Sequence, residues 1–259
     1  MGAAAESGSR DIAELRDSRV LALVLVCTVS FMNVLDITVV SVALGDIGQS
    51  LGASQSELQW VVDAYTLPLG ALLMSAATLS GSLGRLRLFR WGLVLFTVGS
   101  AVCALAPSML VLNAFRALQA VGGAIFLGVG VPMISDRYAA GRERARATGI
   151  YGLISGVAIA VGPLAGGGLV LVAGWRSIFW INVPVGVVSW LASWYVKDHG
   201  ADRRGSDVDW PGTLLTVLAT GGVTVVLLEG SAWGWTSART LGGVAVGLAA
   251  MGLFMAVER

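Results

Sequence analysis

Charge is what this sequence has least of: Asp, Glu, Lys and Arg supply 13% of its 259 residues, about half the fraction found in soluble domains. Histidine is nearly absent. The single His199 lies in a polar connection, so no cluster of His, Asp, Ser or Cys groups is available to bind a metal or activate a nucleophile, which argues against an intramembrane enzyme. Cysteine is scarce too, and Cys27 and Cys103 both fall in apolar stretches, where small packing residues are commoner than a disulfide or a metal pair. No small-residue cleavage site follows the first apolar stretch, which therefore reads as a retained signal anchor. The weakly alternating segments of a membrane β-barrel are missing. No cofactor and no metal are expected.

What fills the chain instead is apolar: 56% of its residues are hydrophobic. A hydrocarbon core about 30 Å thick needs roughly 20 apolar residues per helix, and such stretches recur between short polar connections. Eight can be marked, over Val20–Val40, Leu58–Leu79, Trp91–Ala106, Met109–Ile134, Thr148–Val172, Ile178–Val196, Gly212–Leu228 and Leu241–Val257. Helices satisfy their own backbone hydrogen bonds in lipid. The expected fold is all-α, a polytopic transmembrane bundle of about eight helices. Residues 1–19 form a polar N-terminal segment, 20–196 a six-helix bundle, 197–210 a linker, and 211–259 two further helices.

The basic residues give the expected topology. Arg10, Arg16 and Arg19 precede the first span; Arg85, Arg87 and Arg90 lie between the second and third; Arg137, Arg142, Arg144 and Arg146 follow the fourth. Lys197, Arg203 and Arg204 follow the sixth, and Arg259 ends the chain, whereas Arg176 and Arg239 alone fall on the opposite side. Positive loops remain cytoplasmic, so the protein is expected to be multi-pass in the cell membrane with both termini cytoplasmic. Orientation accounts for these arginines without nucleic acid.

Two ionisable groups stand inside spans, where a charge costs several kcal/mol unless paired or wet. Counted at about 1.5 Å per residue, Asp36 lies roughly 6 Å below the outer membrane face and Arg116 roughly 10 Å below it, so the two share a level. A nearby cation favours the ionised form of a carboxylate and desolvation favours the neutral one. Moving Arg116 relative to Asp36 would therefore switch proton binding; a static salt bridge between helices, or snorkelling to the interface, is the structural alternative. Asp63 near Trp60 and Tyr65 sits in an aromatic belt where interfacial water solvates it cheaply, or in a cavity.

Uncharged signals accompany them. Gln119, one turn after Arg116, can bond the guanidinium or line a cavity, and Gly122 and Gly123 allow a neighbouring helix to approach. The fifth span is dense in glycine: Gly152 and Gly156 make a small-xxx-small face, and Gly162–Pro163 removes a backbone hydrogen bond and permits a bend. Trp175, Trp180, Trp190 and Trp194 bracket the sixth span, as interfacial anchors or, less commonly, as substrate-stacking groups.

Together these stretches resemble the major facilitator superfamily, and within it the fourteen-helix branch of drug:proton antiporters. LDITVVSVAL (Leu35–Leu44) is similar to that branch's first-helix motif, with Asp36 and Thr38 at its acid and Thr. NAFRALQAVGGA (Asn113–Ala124) is similar to the fourth-helix motif, in which Arg116 and Gln119 match the residues associated with proton coupling. Gly156 with GPLAGG (Gly162–Gly167) resembles the antiporter motif of helix 5, which places Gly156, Gly162, Pro163, Gly166 and Gly167 in it; GWRSIFWINVPVG (Gly174–Gly186) resembles the next signature. In the gating loop Gly84 and Arg85 match, but Gly81 and Ser82 occupy the positions of an Asp-Arg pair. That Asp latches the two halves of such transporters, so its replacement implies a chain that cycles differently or poorly.

The resemblance implies a proton-coupled efflux antiporter for drugs, antibiotics or similar small organic compounds, coupled through Asp36, Arg116 and Gln119, with Thr38, Asp63 and Asn113 at the substrate cavity. Its implied partners are the lipid bilayer, the substrate, protons, and a missing C-terminal half or second subunit. A truncated, non-transporting fragment or assembly partner is the alternative.

Overall fold

A computed structural model describes residues 2–197 and 233–257, and between them positions 215, 218–219, 221–223, 226–227 and 230. All regular structure among these residues is helical: α1 (Gly2–Leu51), α2 (Gln55–Leu83), α3 (Arg85–Leu105), α4 (Met109–Arg137), α5 (Arg142–Ala173), α6 (Ser177–Trp180), α7 (Asn182–Ser193) and α8 (Ala238–Val257). Their boundaries follow local chemistry. Gly52 turns the chain at φ +65°, and Ser54 then caps α2 through a reciprocal pair: the Ser54 N–H donates to Glu57 Oε2 at 2.9 Å and the Glu57 N–H to Ser54 Oγ. Gly84, at φ +88°, is the single residue between α2 and α3.

Among the described residues, five helices are long and apolar enough to cross a membrane: α2, α3, α4, α5, and α1 from Ser18. The first span passes its expected end at Val40 because Ala43 and Ile47 continue the buried stripe to Leu51. The sixth is shorter than expected. α6 and α7 join through Ile181, whose dihedrals remain helical, but the helix stops at Ser193, where the Ser193 hydroxyl bonds back to the Trp190 carbonyl at 2.6 Å. The last span starts three residues before its expected Leu241, and by hydropathy it too is short, Ala238–Leu253. Most of Gly212–Leu228, and the linker with His199, lie outside the described residues.

α4 is the central element, with 61% of its apolar segment buried against 56% for α1, 44% for α3 and 17% for both α2 and α5. Small residues let its neighbours approach, as the sequence suggested for Gly122 and Gly123. A Cβ built on Gly122 would lie 2.5 Å from the Phe96 nitrogen and 2.6 Å from the Gly92 oxygen of α3; one on Gly128 would lie 2.7 Å from the Leu73 oxygen of α2. α1 instead packs on α5, where Gly162 and Gly166 receive Thr38 and Val39. The expected contact face at Gly152 and Gly156 is a correction: among the described residues nothing approaches either glycine, because the helix presents its other side to α1.

Two apolar clusters fill the interior of the α1–α7 bundle. One runs through Val29, Met32, Leu93, Phe96, Ala120 and Phe126; the other through Leu35, Val39, Cys103, Leu112, Ile178 and Phe179. Cys27 and Cys103 are free and buried. One end of the bundle gathers the basic connections: the Tyr138 hydroxyl donates to the Arg19 carbonyl, Arg137 to the Lys197 carbonyl, and the Lys197 N–H to Ser18 Oγ. Arg176, at the opposite end, donates to the Ala106 carbonyl at 3.1 Å.

Backbone at the α3–α4 crossing cannot yield as a side chain can. Gly122→Ala is expected to destabilise the chain by about 1–3 kcal/mol. Gly152→Ala, on open helix surface, is expected to be neutral or stabilising by up to about 1 kcal/mol. Thermal unfolding in detergent ranks the two, and equal effects would contradict this packing.

Candidate functional site

Where the two apolar clusters meet, Asp36 falls between Met32 and Val39, Ser100 between Phe96 and Cys103, and Arg116 between Leu112 and Ala120. Each of these turns contributes a polar group to one layer. Arg116 NH1 donates to Asp36 Oδ2 at 2.5 Å, and both residues are at most 2% exposed. Asp36 Oδ1 accepts from Gln119 Nε2 at 3.0 Å and from Asn182 Nδ2 at 2.8 Å. Three donors from α4 and α7 thus converge on a carboxylate of α1. The expected proximity of Asp36, Arg116 and Gln119 is observed.

The guanidinium is held from every side. Its Nε donates to the Val61 carbonyl at 3.2 Å, its NH1 also to Gln119 Oε1 at 2.9 Å, and its Cζ lies 4.1 Å from the centre of the Tyr65 ring and 5.8 Å from that of Phe179. Gln119 is fixed in turn. Its Oε1 accepts from Arg116 while its Nε2 also donates to Ser100 Oγ at 2.8 Å; a flipped amide would lose its contacts to both Arg116 and Asp36. Behind Tyr65, its hydroxyl accepts from Asn33 Nδ2 at 2.5 Å, and this pair rests on Gly123, where a Cβ would lie 2.5 Å from Asn33 Nδ2.

Asn182, Ser100, Tyr65 and Asn33 were not anticipated as members. The amide of Asn182, inside the expected sixth span, is the one signal in the sequence that marks any of them as a candidate. Tyr65 is corrected from the aromatic belt to the core, since it is fully buried, whereas Trp60 is 44% exposed. The other anticipated residues lie apart from the layer. Thr38 is half-buried, its hydroxyl donating to the Leu35 carbonyl at 2.9 Å and abutting Gly162. Asp63 is half-buried and joins neither of the two ion pairs among the described residues. Asn113 Oδ1 is buried without a hydrogen-bond partner among them. Gly166 packs on Val39, while Pro163 is exposed and a Cβ built on Gly167 would meet no described residue within 4 Å. Near Gly84, Arg85 pairs with Asp136 and donates to the Pro132 carbonyl at 2.8 Å; Gly81 faces open space.

A buried acid, its arginine and two amides on different helices form one motif, and the family model of the Major Facilitator Superfamily matches residues 26–258. The chain belongs to the major facilitator superfamily. It is accordingly an integral membrane protein. Among its relatives in the superfamily it is 40% identical over 232 residues to multidrug resistance protein Stp of Mycobacterium tuberculosis, an alignment covering 88% of this chain and 43% of that protein. It is 35% identical to the methylenomycin A resistance protein of Streptomyces coelicolor (86% and 46% covered) and 37% identical to the cephamycin export protein CmcT of Amycolatopsis lactamdurans (92% and 49% covered). The chain spans about half the length of these relatives. Among solved structures it shares its fold with a bacterial homologue of the human lysosomal transporter Spinster in an inward-facing, unoccupied conformation, at a TM-score of 0.61 and 18% identity over 92% of this chain and 61% of that one.

Removing one partner of a buried pair leaves the other charge uncompensated. Arg116→Ala is expected to cost about 3–5 kcal/mol, and Asp36→Ala in the same chain to restore part of that loss. A double-mutant cycle measured by unfolding in detergent should give a coupling well above 1 kcal/mol; additive effects would mean that the two groups do not depend on each other.

Proposed function

We propose that this chain supplies the proton-binding bundle of a drug-efflux antiporter in the cell membrane, with Asp36 as the group that takes up and releases the proton. The observation that carries the reading is the donor set on Asp36. An ionised carboxylate is acceptor-only, and here both oxygens face donors. A proton on Oδ1 would confront the amide groups of Gln119 and Asn182, donor against donor. Protonation is thereby tied to displacement of α4 or α7 from α1, the kind of movement that alternating access provides.

The rest of the assembly follows the same reading. α2 and α5 are the least covered spans, at 17% each, and offer their exposed faces to a second bundle that completes the transporter. Between α1 and α5, a largely apolar recess of about 420 Å³ lined by Leu23, Val24, Cys27, Thr28, Phe31, Ile150 and Ile154 is suited to a small organic substrate. Thr38, Asp63 and Asn113 add half-buried polar groups toward the outer end. The end that gathers Arg19, Arg137 and Lys197 faces the cytoplasm, as positive loops do. The relatives named for multidrug resistance and cephamycin export support a drug-like substrate.

The test uses everted vesicles containing the full assembly of which this chain is part. Adding a transported drug should release protons, and Asp36→Asn should abolish that release while the protein still inserts at normal levels. Full coupled flux in the Asn variant removes Asp36 from the mechanism.

A further inference from the structure

Away from the polar layer, a second group of charged and aromatic side chains occupies the end of the bundle where the basic connections gather. Arg87, Arg90, Trp91 and Val94 recur at i, i+3, i+4 and i+7 and share one face of the first turns of α3. Trp190 and Trp194 stand one turn apart at the end of α7. These six side chains line a cleft of about 370 Å³ between the two helices.

Part of the cleft wall is held in place beforehand. Arg90 donates from Nε to Ser193 Oγ at 3.0 Å and from NH2 to the Ser193 carbonyl at 2.8 Å, and its Cζ lies 4.1 Å from the centre of the Trp194 ring. Trp190 braces Trp194 edge to face at 5.7 Å. Arg87 stands exposed at the rim and takes part in neither of the two ion pairs among the described residues. Trp91 and Trp194 are 57% and 59% exposed, so the indoles open outward from the bundle.

A cleft with cations at its rim and apolar walls beneath fits a molecule that is anionic at one end and apolar along its length. A soluble anion has no use for the indoles, and a zwitterionic lipid gains less from two arginines. The position decides between them, since the first turns of a membrane-crossing helix lie at headgroup depth. We propose that the α3–α7 cleft binds one anionic phospholipid, its phosphate on Arg87 and Arg90 and its acyl chain along Trp91, Val94 and Trp190. The site rests only on the chain being embedded in a bilayer and is separate from the proton chemistry of Asp36.

The nearby indoles provide the readout. The purified full chain is reconstituted in phosphatidylcholine vesicles, and its tryptophan fluorescence is titrated with dibrominated phosphatidylglycerol or dibrominated phosphatidylcholine. Phosphatidylglycerol should quench a saturable fraction at low mole fraction, with a preference of about fivefold per arginine. Arg87→Ala should lose about fivefold of that preference and Arg87→Lys should keep it; Arg87 is exposed, so neither change threatens the fold. Equal quenching by the two lipids in the unmodified chain would overturn the proposal. So would an unchanged preference in Arg87→Ala, or displacement of the lipid by water-soluble glycerol phosphate, which would mean a site for a soluble anion.

Discussion

The ion pair between Asp36 and Arg116 is the constraint around which this bundle is arranged. Removing either charge from water costs several kcal/mol, and the attraction between them offsets this only where the remaining lone pairs and protons are also bonded. Here Gln119 and Asn182 donate to the carboxylate, while the Val61 carbonyl and Gln119 accept from Nε and NH1 of the guanidinium and the Tyr65 ring lies against its face. Apolar residues of similar volume commonly serve a core as well as a buried pair does. A pair kept at this depth with its own amide shell is therefore better explained by chemistry than by stability, which is the general expectation for ionisable groups inside a membrane.

Close helix packing makes that shell possible. Gly122 lets α3 reach α4, which brings Ser100 to Gln119; Gly123 leaves room for Asn33 and Tyr65, which puts an aromatic face under Arg116. The layer is confined above and below by the two apolar clusters, so its groups have no water to turn to and must satisfy one another. A rearrangement at any one helix is then felt by the whole set. This is how a proton on Asp36 would become a movement of α4 or α7.

Much of this was legible in the sequence. Long apolar runs gave the five principal spans, and a count of residues from each membrane face put Asp36 and Arg116 at one level, because helix rise and bilayer thickness fix depth. Depth says nothing of azimuth. Asn182 and Ser100 are uncharged, and composition alone does not separate a polar group that joins a network from one that bonds back to its own helix, as Thr38 does. Tyr65 lies beside Trp60 in sequence, and only the packing shows that one faces the core and the other faces out. In α5 glycine occurs on several faces; the side that meets α1, at Gly162 and Gly166 rather than Gly152 and Gly156, is set by where Thr38 and Val39 project.

The central claim is that Asp36 exchanges a proton when its amide and guanidinium donors move. Infrared difference spectroscopy of the reconstituted assembly, recorded on adding a transported drug, reads this directly through the carbonyl stretch of a protonated carboxyl. The account predicts that drug binding removes such a band and that the change is absent in Asp36→Asn. A band that persists through drug binding, or a difference signal that survives in Asp36→Asn, would place the coupled proton elsewhere.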